Sequence, residues 1–219
     1  MKTKLVITLA LSIFTLASNA QTEKGNFLIG GSIGYSTAKS SAGSSSQSHR
    51  STAYTISPKI GYFIDNNFAI GTKLQYSANK SNYSNRNYQN GIPGEWTYNV
   101  DRTDSYGISP FVRYYVNITD ILKFYGEFEM SFETGKSKSK NDKGEMITKD
   151  KFNNYRPAIS PGLVLFPSKK WAIEFSFPLV SYEKRTFSRI SGQEEKASTN
   201  SFNFGLNTFA PKLGLNYHF

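Results

Sequence analysis

The strongest constraint on the fold of this chain is a period-two alternation of apolar and polar residues, which recurs in eight segments. Alternation of this kind puts successive side chains on opposite faces of a β-strand. The segments run over residues 27–36, 54–63, 68–76, 106–114, 122–132, 155–165, 171–179 and 209–219. No long segment has apolar residues at helical spacing. The sequence therefore predicts an all-β protein of eight strands.

A short motif recurs inside this alternation. The segment "ISPKIGYFI" at 56 reappears as "ISPFVRYYV" at 108, "ISPGLVLFP" at 159 and "FAPKLGLNY" at 209. Its prolines, Pro58, Pro110, Pro161 and Pro211, stand 50 to 52 residues apart. Each repeat therefore holds two strands. Because proline has no N–H to donate to a strand ladder, we expect each of these prolines at a bulge or a locally splayed pair.

The connections between the segments alternate in length. Three are tight turns rich in Asn, Asp, Pro and Ser, at 65–67, 117–120 and 167–170. Four are long and polar, at about 37–51, 79–103, 135–154 and 183–200. Short turns on one side and long loops on the other are typical of an antiparallel up-and-down barrel that crosses a membrane. The phase of the alternation reverses before the last strand, so we expect a bulge or strand start near Asn207 and Thr208.

The composition of the two strand faces indicates which one meets lipid. One face is apolar and almost uncharged, whereas the other is mostly Gly, Ala, Ser and Thr with occasional charges. A soluble ligand-binding barrel would instead carry charges over its exterior. Aromatic residues stand at both ends of the apolar face, as the two membrane interfaces favour. Those beside the long loops are Tyr35, Tyr54, Tyr76, Tyr106, Phe132 and Tyr155, and those beside the short turns are Tyr62, Phe68, Tyr114, Trp171 and Tyr217.

Eight strands enclose an interior that side chains can fill. The main charges predicted to point inward are Lys59, Lys73, Arg113, Glu127, Glu129, Arg156, Glu174 and Lys212, with Lys123 and Glu133 in the same phase. Buried charges are tolerated when they are paired, so we expect an internal network of ion pairs that plugs the barrel. A narrow polar path for small solutes past Arg113, Glu127, Glu129 and Arg156 is the alternative.

The N-terminus predicts export. Lys2 and Lys4 precede an apolar stretch at 5–17, and Ser18-Asn19-Ala20 forms a cleavage site before Gln21. These are the features of a secretory signal peptide. The sequence therefore predicts a signal peptide at 1–20 and one barrel domain at 21–219. The chain has no cysteine for a lipid anchor or a disulfide.

The net charge of +10 favours an anionic surface such as lipopolysaccharide over nucleic acid, which an exported protein rarely meets. Enzymes built on barrels of this size need a histidine to activate a nucleophile. The two histidines, His49 and His218, stand in a serine-rich loop and near the C-terminus, on opposite sides of the membrane. We therefore expect no catalytic site, no metal site and no cofactor. The segment at 87–99, with Trp96, is the best candidate in the long loops for contact with a surface ligand.

The last strand carries the most specific motif. It ends in "PKLGLNYHF", with Leu213, Leu215, Tyr217 and Phe219 in one phase. This resembles the C-terminal signature by which the barrel-assembly machinery reads outer-membrane β-barrels. The whole region after the signal peptide resembles the small eight-stranded outer-membrane barrels of the OmpA and OmpX type. The resemblance implies an integral protein of a Gram-negative outer membrane with a structural or surface-interaction role, in contact with outer-membrane lipid and lipopolysaccharide. A lipid A- or phospholipid-modifying enzyme is the least favoured function.

Overall fold

The computed structural model describes residues 22–41, 47–89, 92–140, 144–189, 195–205 and 212–219. They form ten strands: β1 (Phe27–Ser41), β2 (Gln47–Asp65), β3 (Phe68–Gln89), β4 (Ile92–Asn117), β5 (Leu122–Lys140), β6 (Met146–Leu165), β7 (Trp171–Ser176), β8 (Val180–Arg189), β9 (Glu195–Phe204) and β10 (Lys212–His218). Nowhere in these residues is there a helix long and apolar enough to cross a membrane. The predicted signal peptide and the cleavage position between Ala20 and Gln21 lie outside the described residues.

The strands close into a ring because β5 pairs with both β4 and β6. Around the ring the order is β1, β2, β3, β4, β5, β6, β7 and β10, and β10 pairs back with β1. Strand β8 continues the wall beyond β7 by pairing with β6, and β9 pairs with β8. The predicted eight-stranded antiparallel barrel is therefore confirmed, with β8 and β9 as additions to its wall.

The predicted seventh strand, 171–179, is wrong as an unbroken element. Strand β7 ends at Ser176, and β8 starts at Val180 with its register against β6 shifted by one residue. Pro178 lies in the break and has no N–H to donate, while the N–H of Leu179 still donates to the carbonyl of Ile159 at 2.9 Å. The irregularity expected near Asn207 and Thr208 falls outside the described residues.

The long polar stretches are mostly strand rather than loop, which corrects the sequence-based assignment. Of the four long connections, only 42–46, 90–91, 141–143 and 190–194 lie outside the described residues, and hairpin strands flank each of these segments. In these outer hairpins water reaches both faces, so neither face has to be apolar and the period-two signal disappears while the backbone ladder continues. The three short turns lie where the sequence predicts them, and the turn residue Asn67 adopts a φ of 63°, which asparagine tolerates.

The prolines of the repeated motif interrupt the barrel ladder on one side only. Pro58 lies opposite Gly31 in an unbroken β1–β2 ladder, but the β2–β3 ladder skips Ser57 and Pro58 while keeping its register. Pro110 shows the same one-sided gap: it pairs with Thr72 of β3, whereas the β4–β5 ladder skips Ser109 and Pro110. Pro161 pairs with Gly126 of β5, and the register shift between β7 and β8 falls on its other side.

The expected bulge or splayed pair is therefore present at these three prolines. The reason is that each residue of an antiparallel strand directs its N–H and C=O toward one neighbouring strand. A proline consequently removes a donor from one ladder and leaves the other intact. Pro211 lies outside the described residues.

The apolar face of the wall points outward. Ile33 is 80% exposed and Leu74 54%, whereas Arg113 and Glu127 on the opposite face are 1% and 4% exposed. Cross-strand aromatic pairs mark the two ends of the apolar zone. Toward the long hairpins they are Tyr35–Tyr54 at 5.2 Å, Tyr76–Tyr106 at 5.1 Å and Phe132–Tyr155 at 5.5 Å, which we call the outer belt. Toward the short turns they are Phe27–Tyr62 at 4.8 Å and Trp171–Tyr217 at 5.1 Å.

A buried aromatic cluster closes the short-turn end of the lumen. It consists of Phe63, Tyr115, Tyr125, Phe166 and His218, each at most 2% exposed, and we call it the floor. The His218 ring packs against Phe63 at 5.8 Å and against Phe166 at 5.1 Å, measured between ring centroids. These rings pack together across the short-turn end of the lumen.

The packing of the floor gives a test of the barrel interior. Gly162→Ala should lower the free energy of unfolding by about 1–3 kcal/mol, as overpacking does. The added methyl would lie 2.6 Å from Oη of Tyr125 and 2.7 Å from the carbonyl oxygen of Phe175. Gly126→Ala is the matched control in the neighbouring strand, because its methyl would meet nothing within 4 Å. Urea unfolding in lipid vesicles, followed by tryptophan fluorescence, measures both; equal losses would contradict the described packing.

Candidate functional site

The candidate site is the cluster of charged side chains that crosses the lumen above the floor. Arg113 of β4 is its centre and is 1% exposed. Its Nε and Nη2 donate to Oε2 of Glu127 on β5 at 2.8 and 2.6 Å, and its Nη1 donates to Oε2 of Glu174 on β7 at 2.7 Å. Its Cζ also lies 4.0 Å from the centroid of the Tyr125 ring. The guanidinium therefore satisfies carboxylates on two strands and stacks on the floor at the same time.

Two lysines extend the cluster to further strands. Lys59 of β2 pairs with Oε1 of Glu174. Lys73 of β3 pairs with Oε1 of Glu127 and, at 2.6 Å, with Oε2 of Glu129. Arg156 of β6 lies 3.7 Å from the other oxygen of Glu129. Ion pairs thus connect six consecutive strands of the ring, from β2 to β7.

Glu174 is the carboxylate that links distant parts of the wall. Arg113 lies three strands away from it in one direction around the ring, and Lys59 lies three strands away in the other. Asn216 of β10 adds an Nδ2 donor at 2.9 Å to Oε2 of Glu174. Glu174 is 7% exposed, so nearly all of its interactions are with protein.

The structure brings together seven of the eight charged residues predicted for the interior: Lys59, Lys73, Arg113, Glu127, Glu129, Arg156 and Glu174. Lys212 lines the same space, but no described carboxylate lies within 4 Å of its Nζ. It shares with Lys59, Gln75 and Ser109 a cavity of about 40 Å³. A cavity of this size holds a few water molecules at most.

The other two inward charges lie outside the cluster. Nζ of Lys123, at the short-turn end, donates to Oγ1 of Thr22 at 2.6 Å and to Oδ1 of Asn67 at 3.3 Å. This holds the first described residues of the chain against the turn between β2 and β3. Glu133, nearer the outer belt, accepts a hydrogen bond from Nδ2 of Asn154 at 3.4 Å.

Sequence reasoning missed the floor and Asn216 as parts of the site. The signal for the floor was present, because Phe63, Tyr115 and Tyr125 fall in the inward phase next to short turns. No pattern distinguished Asn216, whose role depends on the carboxylate that the barrel closure places opposite it. His218 belongs to the floor, and the His49 ring stacks on Tyr83 at 4.5 Å far along the β2–β3 hairpin. The two histidines are thus at opposite ends of the barrel.

The C-terminal residues occupy the seam that closes the ring. Leu213, Leu215 and Phe219 are 64%, 52% and 52% exposed on the outward face. The backbone N–H of Phe27 donates to the carbonyl of Phe219 at 2.7 Å, and the N–H of Phe219 donates back at 3.0 Å. Their rings stack at 5.8 Å. The last residue of the chain therefore pairs with the first residue of β1.

Within the described residues no group of three or more His, Cys, Asp or Glu side chains could hold a metal ion.

Removal of one carboxylate tests the cluster. Glu174→Gln should lower the free energy of unfolding by about 3–5 kcal/mol, because it leaves Lys59 without its ion-pair partner and Arg113 with one carboxylate instead of two. Glu133→Gln, which changes an inward carboxylate outside the cluster, should cost less than about 1 kcal/mol.

The double variant Lys59→Met/Glu174→Gln completes this test. It should be more stable than Glu174→Gln alone, because it removes the unpaired ammonium group as well. Urea unfolding in vesicles measures all three variants. A loss from Glu133→Gln as large as that from Glu174→Gln would show that the cluster does not carry the stability.

Comparisons with known proteins agree with this architecture. Residues 6–208 match the model of the outer membrane protein beta-barrel domain family. A search of the curated proteins found no match. The crystal structure of the outer membrane protein OprG from Pseudomonas aeruginosa is similar, with a TM-score of 0.51, 11% identity, and coverage of 92% of this chain and 99% of that one. Neisserial surface protein A (NspA) also matches, with a TM-score of 0.37, 13% identity, and coverage of 90% and 98%.

At 11% identity the OprG structure supports the fold alone, whereas the family match covers most of the chain. The chain belongs to the outer membrane protein beta-barrel domain family, and it is an integral protein of the outer membrane of a Gram-negative bacterium.

Proposed function

We propose that this protein is a closed, non-conducting barrel whose work is done by the hairpins that project from the membrane. The observation that carries this proposal is the position of Glu174, which holds Arg113 and Lys59 from two different sides of the lumen. An ion moving along the barrel axis would have to separate these pairs and then pass the floor. Both steps are costly, since a buried charge that loses its partner is strongly destabilised.

The projecting hairpins support a role at the cell surface. Strands β3 and β4 contain 22 and 26 residues, whereas a transmembrane β-strand needs about 9–11. From Tyr76 in the outer belt to Gln89, the β3 strand extends by about 40 Å at ~3.3 Å per residue. Trp96 lies on this hairpin and is 40% exposed, with the guanidinium of Arg86 at 5.8 Å from its ring centroid. Tyr98 beside it is 73% exposed. These aromatic side chains are available to a surface ligand.

Planar-bilayer recording tests closure of the lumen. The native protein should show no discrete channels, and Arg113→Gln should remain silent because the floor still blocks the lumen. Arg113→Gln combined with Phe63→Ala and Phe166→Ala removes both barriers and should give discrete conductance steps. Channels in the native protein that are lost or altered in Glu127→Gln or Arg113→Gln would contradict the proposal and favour the narrow pore.

We also propose that the outward-facing side chains of Leu213, Leu215, Tyr217 and Phe219 are recognised by the barrel-assembly machinery. Phe219→Ser should lower the amount of folded barrel in the outer membrane severalfold, measured as the fraction whose gel migration changes on boiling. Phe27→Ser is the matched control, because it removes the same ring stack between Phe27 and Phe219 but leaves the terminal motif intact. Equal losses in cells from the two variants would refute a recognition role for Phe219.

A further inference from the structure

Outward-facing basic residues stand at one fixed distance beyond the outer belt. Counting along each strand away from the membrane, a lysine or arginine occurs four residues past the belt aromatic in β1 to β6. The six aromatic and basic partners are Tyr35 and Lys39, Tyr54 and Arg50, Tyr76 and Lys80, Tyr106 and Arg102, Phe132 and Lys136, and Tyr155 and Lys151. An even spacing along a strand keeps each basic side chain on the same outward face as its aromatic.

These basic residues are directly opposite each other within each hairpin. The strand registers pair Lys39 with Arg50, Lys80 with Arg102, and Lys136 with Lys151. All six are exposed, and no described carboxylate lies within 4 Å of any of them. We call these three cross-strand pairs the basic collar.

The surroundings of the collar contain little compensating charge. Asp104 is the outward acid nearest to it in register, opposite Lys136 on the neighbouring strand, and it accepts a hydrogen bond from the hydroxyl of Tyr76 at 3.3 Å. The fourth hairpin does not repeat the pattern, because Thr186 stands four residues beyond Tyr182. Its outward bases are Lys184 and Lys196.

Like charges directly opposite each other destabilise an antiparallel pair. Three hairpins nevertheless place two basic residues opposite each other, always four residues beyond the belt aromatics. Solubility alone does not require basic residues to be paired in this way. An anion placed between the two cations of a pair would reverse the sign of the interaction. The collar is therefore arranged to receive anions that lie beside the barrel wall.

The height of the collar identifies these anions. Four residues of a strand tilted by about 40° correspond to roughly 10 Å along the membrane normal. The outer belt lies at the edge of the hydrocarbon, so the collar lies at the level of the polar headgroups, within reach of flexible lysine and arginine side chains. We propose that the basic collar binds the phosphate groups of a phosphorylated glycolipid in the outer leaflet. This inference does not depend on whether the lumen conducts.

Lipid A with and without its phosphates provides the direct test. The full-length barrel is purified in a zwitterionic detergent, and binding of each lipid is measured by native mass spectrometry. Phosphorylated lipid A should bind at least about tenfold more tightly than its phosphate-free form, since each basic residue near an anionic surface contributes roughly a fivefold gain in affinity. Equal binding of the two lipids would overturn the proposal.

Substitution of one collar pair locates the binding site. Lys80→Gln/Arg102→Gln should weaken binding of phosphorylated lipid A by about tenfold or more and leave binding of the phosphate-free lipid unchanged. Lys24→Gln/Lys169→Gln is the matched control, because it removes two exposed cations at the short-turn end of the barrel. A loss in the control as large as that in the collar variant would show non-specific attraction and refute the site.

The unfolding temperature of the barrel provides a second test, because the effect of the substitution on it should differ between detergent and lipid A. In zwitterionic detergent alone, Lys80→Gln/Arg102→Gln should not lower the temperature at which the barrel unfolds, because it removes a repulsive pair. In phosphorylated lipid A, the same substitution should lower that temperature relative to the native protein. Inorganic phosphate at the same phosphorus concentration should not reproduce the protection by lipid A. Full protection by inorganic phosphate would show that the collar binds free anions, contrary to the proposal.

Discussion

Satisfaction of backbone hydrogen bonds in a hydrocarbon solvent is the constraint on which the rest of this structure depends. No water is present in the bilayer core to bond an exposed N–H or C=O, so a sheet inside a membrane must close on itself. The reciprocal backbone hydrogen bonds between Phe27 and Phe219 join β1 to the C-terminus at the short-turn end of the barrel. Once the ring is closed, each strand must alternate between a lipid-facing and a lumen-facing side chain. The apolar exterior, the charged interior and the aromatic zones all follow from this alternation.

Inside the closed ring the ionised side chains must be solvated by other protein groups, because little water is available to them. A lumen of eight strands has little room for water, and each ionised group there needs partners from the facing wall. Arg113 meets this need with two carboxylates and a ring face, and Glu174 meets it with a cation from each side and an amide. In the closed barrel that we propose, the same contacts that keep these charges tolerable would also block the lumen.

The strands of the barrel and the face that each side chain occupies could largely be predicted from the sequence. The alternation around Lys59 and Arg113 reports the inward face because a charge on the lipid face would be costly. The register itself could not be predicted, and so neither could the contacts of Asn216 with Glu174, which depend on closure. The outer hairpins were assigned as loops because strands with water on both faces carry no apolar period. The break at Pro178 was missed because Phe177 and Leu179 continue the alternation of β7, and the outward phase changes to even-numbered residues only from Val180 onward.

The one-sided gaps at Pro58, Pro110 and Pro161 have a mechanical consequence. At Pro58 and Pro110 two successive rungs are missing between neighbouring strands, and a residue that faces the lumen, Lys59 or Phe111, follows directly. Beside each gap, ion pairs that cross the lumen, such as Lys59–Glu174 and Lys73–Glu127, supplement the unbroken backbone ladder on the other side of the proline. Part of the stiffness of the wall at this depth is thus electrostatic in origin. High ionic strength or acid that reaches the interior would soften the wall first beside the prolines, where the amides of β3 and β5 would exchange with solvent earliest.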